Sequence, residues 1–427
     1  MFQSTREFAQ LADKDDVLAS YRNQFLIPKT ASAEEVLYFT GNSLGLQPKR
    51  TRQYIDQVLS DWATHGVDGH FYSDNPWWDY HERIIPKLAK VVGGLNDEVT
   101  IMNTLTVNLH LLLVSFYRPT ASKYAILCEE KAFPSDQYLL KSQLSFHGFN
   151  FDSALIEVGP SAGSNAPSTE DFIKAIEQNH ERIALVMLGG VNYYTAGVLD
   201  IEKITAVARS YGITVGWDLA HAAGNIELKL HDWGVDFAAW CSYKYMNAGP
   251  GSLSGIFIHQ RHHNNASIPR FEGWWGVEKS VRFQMNDSFQ PAIGAEAWQL
   301  SNLPILALAP YDAALSLFEE VGMDQLIEKR NKLTNYLEFM ILDVAKRTTY
   351  PLEIITPKQR GAQLSIFMPE RGREIFDYLC AHGVLPDWRN PNVIRIAPVP
   401  FYNSFSDVYE FAQRLEDAIY SIRKSVK

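Results

Sequence analysis

The most constraining feature of the sequence is the alternation of short apolar runs with longer amphipathic stretches between residues 96 and 258. Four of the runs lie at residues 124–128, 154–158, 183–188 and 213–217. Helical patterns of about ten to fifteen residues separate such runs, and Ser168 and Asp171 form a capping box before one of these helices. Strands that alternate with helices in this way are typical of βαβ units. We therefore predict an α/β domain with a mostly parallel sheet.

Beyond residue 300 the pattern changes to two long helical stretches, followed by short apolar runs and one more helix. These runs lie at residues 352–355, 363–367 and 393–396. Helices and strands that are segregated along the chain favour a smaller α+β domain. We expect an N-terminal segment over residues 1–50, a large α/β domain over residues 51–300 and a small C-terminal domain over residues 301–427. A length of 427 residues suits such a division.

Three helices are predicted ahead of the sheet. Ser4 and Glu7 form a capping-box pattern, which predicts that the first helix begins at Ser4. Pro48 has the position of a first helical residue before an amphipathic run. Residues 77–92 are interpreted as one helix with a kink at Pro86.

Charge and cysteine content limit the classes of partner and compartment. The 39 basic and 49 acidic residues give a formal net charge of −10, which argues against nucleic acid or an anionic membrane as the main partner. Three scattered cysteines suit neither a disulfide framework nor a zinc site, and a reducing compartment fits them. We find no signal-peptide core and no apolar run long enough to span a bilayer. We expect a soluble cytoplasmic protein that needs no metal.

The densest candidate chemistry is an acid and a lysine that follow successive apolar runs. Asp218 directly follows the run at residues 213–217, and Lys244 follows the run at residues 237–240. The carboxyl ends of parallel strands form the edge at which α/β proteins bind ligands. A pyridoxal 5′-phosphate (PLP) site requires a lysine that forms a Schiff base and an acid that pairs with the pyridine nitrogen. Either residue alone is more often a helix cap or a solvated surface group. For the two residues together, a PLP site and this ordinary structural role are about equally supported.

Two further stretches are candidate cofactor contacts. Thr104 and Thr106 precede a helical pattern, so hydroxyls and free amides gather at a helix N-terminus, which is a common anion site. A plain N-cap is the alternative for these threonines. Residues 133–136 are similar, and Phe133 belongs either to a cofactor-stacking contact or to the core.

The segment GPGSLSG at residues 249–255 is similar to a dinucleotide-binding loop, but it departs from that fingerprint in two ways. Ser254 stands where the third glycine belongs, and residues 256–258 predict a strand where the fingerprint needs a helix. We therefore exclude NAD as a cofactor.

Seven motifs occur in the order found in one enzyme family. They are GNSLG at residues 41–45, MNTLTVNLH at 102–110, FPSD at 133–136, WDLAHA at 217–222, YKYMNAG at 243–249, GWWG at 273–276 and RIAPVP at 395–400. An Asp, His and Lys in this order are shared by many fold-type I PLP enzymes, whereas the lengths and order of the motifs are highly specific. From about residue 36 to 420 the chain resembles the kynureninases, a class V aminotransferase-like family. The resemblance implies a fold-type I PLP-dependent transferase-like large domain, with mostly parallel sheet, and a smaller C-terminal α+β domain.

The resemblance implies a cofactor role for individual residues. Lys244 would form the Schiff base, and Asp218 would pair with the pyridine nitrogen. The backbone of Leu105 and the side chain of Thr106 would hold the phosphate, while Phe133 would stack on the ring. The full set of implied cofactor positions is Leu105, Thr106, Phe133, Pro134, Ser135, Asp136, Asp218, His221, Tyr243, Lys244, Trp274 and Asn302.

The resemblance also implies a substrate pocket that two subunits share. Arg395 would bind the substrate carboxylate through two parallel hydrogen bonds. Trp274 and Asn302 would come from a neighbouring subunit, which implies a homodimer. Gly189 departs from the family, because relatives often have a cofactor-binding serine there. The implied substrate positions are Ser43, His70, Trp275, Asn302 and Arg395.

The implied reaction is hydrolytic Cβ–Cγ cleavage of L-kynurenine or its 3-hydroxy form to an anthranilate and L-alanine, in tryptophan degradation and NAD biosynthesis. Lys244 would move the Cα proton, and Tyr243 is a candidate acid, although a role as a phosphate donor alone is equally supported. A related aminotransferase, a cysteine desulfurase and a PLP-binding protein without catalysis are the alternatives. A desulfurase needs a mobile nucleophilic cysteine, whereas Cys241 lies in a strand-like run. Storage of the cofactor alone would not need Asp218.

Overall fold

The computed structural model describes residues 1–424. Its α-helices are α1 (Arg6–Lys14), α2 (Thr51–His65), α3 (Ile85–Val92), α4 (Leu105–Phe116), α5 (Pro134–Phe146), α6 (Phe151–Ala154), α7 (Thr169–Asn179), α8 (Ile201–Ser210), α9 (Ile305–Val321), α10 (Met323–Thr348), α11 (Gly372–Ala381) and α12 (Phe405–Lys424). Short 3-10 helices lie at Ala19–Gln24, Gly66–His70, Tyr80–Arg83, Asn96–Glu98, Gln260–His262, Trp274–Gly276, Arg282–Gln284 and Gly294–Trp298.

The strands are β1 (Phe25–Leu26), β2 (Leu37–Tyr38), β3 (Gln47–Pro48), β4 (Val99–Met102), β5 (Ala125–Glu129), β6 (Leu155–Val158), β7 (Ile183–Gly189), β8 (Thr214–Asp218), β9 (Phe237–Trp240), β10 (Ser254–Ile258), β11 (Glu353–Ile354), β12 (Leu364–Phe367), β13 (Val384–Leu385), β14 (Asp387–Arg389) and β15 (Val393–Ile396). The two-stranded pairs are β1 with β3 and β13 with β2.

Seven strands form the large sheet, in the order β4-β10-β9-β8-β7-β5-β6. The five strands β9, β8, β7, β5 and β6 are parallel to one another, and β10 runs antiparallel to both β9 and β4. Successive residues of a strand enter two different cores: Leu127 of β5 packs with α7 and α8, whereas Ile126 packs with α4 and α5. The predicted mostly parallel sheet with helices on both faces is confirmed, because only such burial lets a strand be apolar along its whole length.

The C-terminal part has a sheet of its own, with the antiparallel order β11-β12-β15-β14. Leu337 of α10, Ile366 of β12 and Phe411 of α12 belong to a separate core that also includes Ala9 of α1. Leu315 of α9, in contrast, packs in the core of the large sheet. The predicted α+β character of this part is confirmed.

The predictions for the N-terminal helices are wrong in three places. Helix α1 is capped by Thr5, whose hydroxyl accepts a hydrogen bond from the Phe8 amide at 3.2 Å, and not by Ser4. Pro48 lies in β3, where it pairs with the buried Phe25. Instead of one helix over residues 77–92, a 3-10 turn precedes α3. Pro86 lies in the first turn of α3, where a missing N–H costs no hydrogen bond, so it causes no kink.

The buried acid Glu98, which lies just before β4, is hydrogen-bonded to residues that are distant in the sequence. Glu98 has no exposed surface, and its carboxylate accepts hydrogen bonds from the Leu95 amide at 3.0 Å, the Gln260 amide at 2.8 Å and His231 Nδ1 at 2.9 Å. His259 Nδ1 lies 3.5 Å from the same carboxylate. We call Glu98, His231 and His259 the Glu98 cluster. The sequence analysis did not predict this cluster.

Helices across residues 1–424 lack the combination of length and hydropathy that crossing a bilayer demands.

Candidate active site

A cavity of about 580 Å³ lies at the carboxyl ends of the central parallel strands. Strand β8 ends at Asp218 and β9 ends four residues before Lys244, and these neighbouring strands bring the two side chains to the same cavity wall. Ten of the predicted site residues line the cavity: Ser43, Leu105, Thr106, Phe133, Ser135, Asp136, Asp218, His221, Tyr243 and Lys244. This is the edge at which ligands bind in α/β folds, as the sequence analysis predicted.

Lys244 is positioned against a neutral histidine. Its Nζ lies 3.0 Å from Nε2 of His221. Burial, together with the charge of Lys244, holds the pKa of His221 well below its usual value. The imidazole is therefore uncharged and accepts a hydrogen bond from the lysine amine, which holds that amine in the cavity.

Two buried acids interact next to this lysine. Asp218 accepts a hydrogen bond from the Ala220 amide at 2.7 Å. Burial and the neighbouring Asp218 carboxylate raise the pKa of Asp136 well above its usual value. Burial also raises the pKa of Asp218, but the Ala220 amide and Lys244 oppose that effect. Of the two acids, Asp136 is thus the one that protonates more readily, and Asp218 is the one that ionises more readily.

The N-terminus of α4 also lines the cavity and offers donors for an anion. Thr104, Leu105 and Thr106 all line the cavity. Thr104 is the N-cap, and its side chain makes no capping hydrogen bond, so this hydroxyl does not occupy the first-turn amides. Backbone amides at a helix N-terminus are suited to a phosphate group.

The cavity therefore has the groups that PLP requires. Lys244 offers an amine, Asp218 offers a carboxyl group, and the N-terminus of α4 offers backbone amides to which a phosphate would bind. The ring of Phe133, which is 43% exposed, lines the cavity and packs edge-on against Tyr193 with centroids 5.3 Å apart. An aromatic face free to stack, beside these charged groups, fits the pyridine ring.

Six predicted site residues do not line this cavity in the single chain: His70, Pro134, Trp274, Trp275, Asn302 and Arg395. His70 packs on Trp77 with ring centroids 5.1 Å apart, and the buried Trp275 packs on Trp78 at 5.2 Å. Asn302 is exposed, and the Trp274 ring is 43% exposed. Their predicted roles stay predictions.

The structure adds cavity residues that the sequence analysis did not predict, among them Asn42, Glu129, Asn192 and Arg389. Glu129 is the last residue of β5 and accepts a hydrogen bond from Asn192 Nδ2 at 2.5 Å. Burial raises the pKa of Glu129 to about 7. An acid at the end of an apolar run was the signal that identified Asp218, and the same signal is present at Glu129.

Two positions bear on the alternatives and departures. Cys241 lines the cavity, but burial raises the pKa of its thiol to about 11, so it is a thiol and not a reactive thiolate at neutral pH. Gly189 also lines the cavity, and a Cβ added there would meet only the Val191 carbonyl oxygen, at 3.8 Å. A serine would fit at this position without displacing a neighbour.

Comparisons with known proteins agree with this geometry. Residues 326–415 match the kynureninase C-terminal domain, and residues 150–368 match the class-V aminotransferase family. A kynureninase from Flavobacterium johnsoniae is 56% identical over 98% of this chain and 99% of that protein. A kynureninase from Christiangramia forsetii is 57% identical over 98% of this chain and 99% of that protein. One from Nematostella vectensis is 44% identical over 98% and 95%.

Solved structures show the fold at lower identity. A cysteine desulfurase from Thermococcus onnurineus superposes with a TM-score of 0.74 at 16% identity, covering 90% of this chain and 95% of that one. A mutant of C-DES with glycine covalently linked to its PLP cofactor gives a TM-score of 0.77 at 17% identity, covering 93% and 99%. With its fold, its PLP-compatible cavity and near-full-length relatives at such identity, the chain belongs to the kynureninase family of class V, PLP-dependent enzymes.

Proposed function

We infer that the protein is a PLP-dependent hydrolase that cleaves L-kynurenine between Cβ and Cγ, releasing anthranilate and L-alanine. The observation that carries this inference is the placement of Lys244, His221 and Asp218 in one cavity, in a chain 56% identical to a kynureninase. Bound PLP supplies the electron sink for carbanion chemistry, and Lys244 holds it as a Schiff base. Incubation of the purified protein with PLP and L-kynurenine tests the inference, because equal amounts of anthranilate and alanine are expected. Absence of both products would contradict it.

Different residues of the cavity have different roles in the proton transfers. Lys244 takes the Cα proton of the substrate once its amine is free, and neutral His221 keeps that amine aimed into the cavity. Asp136 protonates more readily than Asp218, which leaves the Asp218 carboxylate as the group that would pair with a protonated pyridine nitrogen. Burial raises the pKa of Tyr243, so its phenol is protonated at neutral pH and is available as a donor. Whether the Tyr243 proton goes to the product carbon or only supports the phosphate is decided by Tyr243→Phe: loss of kcat with unchanged PLP affinity favours the acid.

A cysteine desulfurase is the less supported alternative. The likeness to desulfurase structures at 16% identity concerns the fold. A desulfurase needs a thiolate nucleophile, and burial raises the pKa of the cavity thiol, Cys241, to about 11. Release of alanine from L-cysteine by this protein would support the alternative.

We propose that two copies of the chain form a homodimer in which Trp274 and Asn302 reach the partner's cavity. Both are exposed and outside their own cavity, and Trp274 lies among exposed aromatic rings that include Phe283 and Phe71. Mixing Lys244→Ala with Asn302→Ala protein tests this, because a mixed dimer contains one intact site and regains activity. The control mixture combines Lys244→Ala with Trp62→Ala, a change at an exposed position on α2. It gives the activity expected when the second chain has no defect in its site. If the first mixture gains nothing over its two components, the shared-site proposal is wrong.

We propose that the protein acts on both L-kynurenine and 3-hydroxykynurenine and prefers 3-hydroxykynurenine. His70 and Asn302 offer hydrogen bonds near the position implied for the aniline ring, and a site built to bond a hydroxyl rejects the analogue without it. The bulk of Trp275 acts against this preference. The test is kcat/KM for both compounds with the wild type and with Asn302→Thr. Preference for kynurenine, or a ratio that Asn302→Thr leaves unchanged, would contradict the proposal.

A cytoplasmic location and a small-molecule partner complete the proposal. The three cysteines are free, which suits a reducing compartment, and the net charge of −10 disfavours nucleic acid as a partner. Fractionation of the native cells, with activity measured in each fraction, tests the location.

A further inference from the structure

Two cavities of the protein adjoin at the ends of strands β5 and β7. The active-site cavity and a second cavity, also of about 580 Å³, share three lining residues: Glu129, Gly189 and Asn192. Gly189 has no side chain to separate the cavities. The loop at residues 163–170 lines the second cavity and includes the exposed Ser164 and Asn165, so this cavity reaches the protein surface and admits water.

Asn192 holds one oxygen of the Glu129 carboxyl group in a fixed direction. Its Nδ2 donates to Glu129 Oε1 at 2.5 Å. Its Oδ1 accepts hydrogen bonds from the amides of Tyr194 and Thr195, at 2.9 and 2.7 Å, and from the Thr195 hydroxyl at 3.0 Å. Because these donors fix the orientation of the Asn192 side chain, only its N–H group faces the carboxyl group.

The other oxygen of this buried carboxyl group is available to a ligand or to water. Among residues 1–424, Asn192 is the only group that donates to the Glu129 side chain, and no cation pairs with it. Burial without a cation raises the pKa of Glu129 to about 7, so the acid and the carboxylate are both populated at neutral pH. A group with a pKa near the working pH is suited to take up and return a proton.

Hydrolysis needs a base for the attacking water in addition to the base for the Cα proton. Lys244 has the second task, and His221 accepts a hydrogen bond from it and has a pKa well below its usual value. Burial keeps Tyr243 protonated. Asp136 and Asp218 interact with each other. None of these five groups is free to take a proton from water.

We propose that Glu129 is a catalytic residue: its carboxylate binds the water that hydrolyses the substrate and takes a proton from it. The inference rests on the proposed function. The water oxygen forms a bond to Cγ, one water proton moves to Glu129, and the π electron pair of the γ-carbonyl moves to the carbonyl oxygen. When this carbonyl re-forms, the Cβ–Cγ bond breaks and its electron pair stays with Cβ. A proton equivalent to the one on Glu129 completes alanine, and the second cavity supplies the water.

The test compares two reactions that share Lys244 but differ in their need for water. Glu129→Gln keeps the size of the side chain and an oxygen that accepts from Asn192, but it cannot take a proton. With L-kynurenine and saturating PLP, formation of anthranilate should slow by roughly 10²- to 10⁴-fold. Exchange of the Cα hydrogen of L-alanine for deuterium in D₂O, followed by NMR, needs no attacking water. Its rate should stay within about threefold of the wild type.

Matched variants separate proton transfer from a structural role. Glu130→Gln changes the adjacent acid, whose side chain is 42% exposed and outside the active-site cavity, and should leave both rates unchanged. Glu129→Asp keeps a carboxyl group on a shorter side chain, so an intermediate loss of hydrolysis is expected. The Kd for PLP, measured by absorbance titration, should be the same in all three variants and in the wild type.

Two results would overturn the inference. Equal losses of hydrolysis and of alanine exchange in Glu129→Gln would mean that Glu129 only supports the cofactor site. Hydrolysis by Glu129→Gln within about tenfold of the wild type would mean that no base was removed. If Glu129→Gln does not fold, Glu129→Asp decides in its place, and equal changes in its two reactions overturn the inference.

Failure of the proposed function gives a different result. A wild type that exchanges the Cα hydrogen of alanine but forms no anthranilate refutes the proposed function, and the role of Glu129 in that reaction with it. A wild type that cleaves kynurenine, beside a Glu129→Gln variant that cleaves it at the same rate, retains the proposed function and overturns only the inference.

Discussion

The Glu98 cluster and the active-site cavity both bury acids next to bases, but they differ in how completely their polar groups are bonded. The Glu98 carboxylate receives two backbone amides and one imidazole. In the cavity, Asp136 and Asp218 face each other, and burial opposes the charge of both. An acid whose hydrogen bonds are all made within the protein holds loops in place. Acids and donors that still lack hydrogen-bond partners are available to bind a ligand. Burial of charge alone does not identify a functional site; the unfilled bonding capacity does.

The largest effect should follow from a change in the cavity. Lys244→Ala removes the amine that holds the cofactor and moves the Cα proton, so turnover with saturating PLP should fall about 10³-fold or more. Stability should change less than it does in the Glu98 variant described next. A steady-state assay of kynurenine cleavage measures the loss, with Lys229→Ala as a surface control. Turnover within tenfold of the wild type would remove Lys244 from its assigned role.

The Glu98 cluster should show the opposite balance of activity and stability. Glu98→Ala leaves two partly buried amides and His231 without their acceptor, and a donor that loses its partner in this way costs about 1–3 kcal/mol of unfolding free energy. Activity per folded, PLP-loaded molecule should be unchanged. Urea denaturation of this variant and of Glu227→Ala, whose pair with Lys229 is exposed, measures the difference. Equal costs for the two variants would contradict a structural role for the cluster.

Acid should weaken the Glu98 cluster. Burial, with the charge of Arg261, lowers the pKa of His259 to about 4, while Glu98 opposes this shift. An unfolded histidine titrates near 6.5, so between about pH 6.5 and 4 the unfolded chain binds a proton that the folded chain does not. This residue therefore makes stability fall as the pH falls through that window. Thermal midpoints against pH should flatten in His259→Asn but not in His65→Asn, and parallel curves would refute this assignment.

The smallest effect should come from adding a hydroxyl group at Gly189, where the cavity has room for a side chain. Gly189→Ser adds a hydroxyl beside the cofactor site with only ordinary contact to Val191. One added hydrogen bond contributes about 0.5–1.5 kcal/mol, so the Kd for PLP should fall by up to roughly tenfold. Gly189→Ala is the control, since it adds the Cβ without the hydroxyl. An equal gain in both variants would show that the hydroxyl is not the cause.

Local signals predicted the regular elements best where burial is uniform. Strands β9 and β15 have the residues that the apolar runs at 237–240 and 393–396 predicted. The N-terminal helices were predicted less well, because Ser4 and Thr5 are both favoured N-cap types, and the surrounding structure selects Thr5. Pro48 lies in a strand and not in a helix because it pairs with Phe25, which is distant from it in the sequence.

The sequence by itself determined the fold class and the reactive edge of the sheet. Strand length, helix spacing and the order of the motifs are local properties, and they sufficed to bring Asp218 and Lys244 to neighbouring strand ends. Only the tertiary structure decided which polar groups are saturated. Glu98 meets His231, and Arg395 meets Tyr193, across more than a hundred residues of chain. Such contacts depend on how loops close over the sheet, and no local pattern records that geometry. For this reason Arg389 was identified as a cavity residue only from the structure, although it lies near Arg395 in the chain.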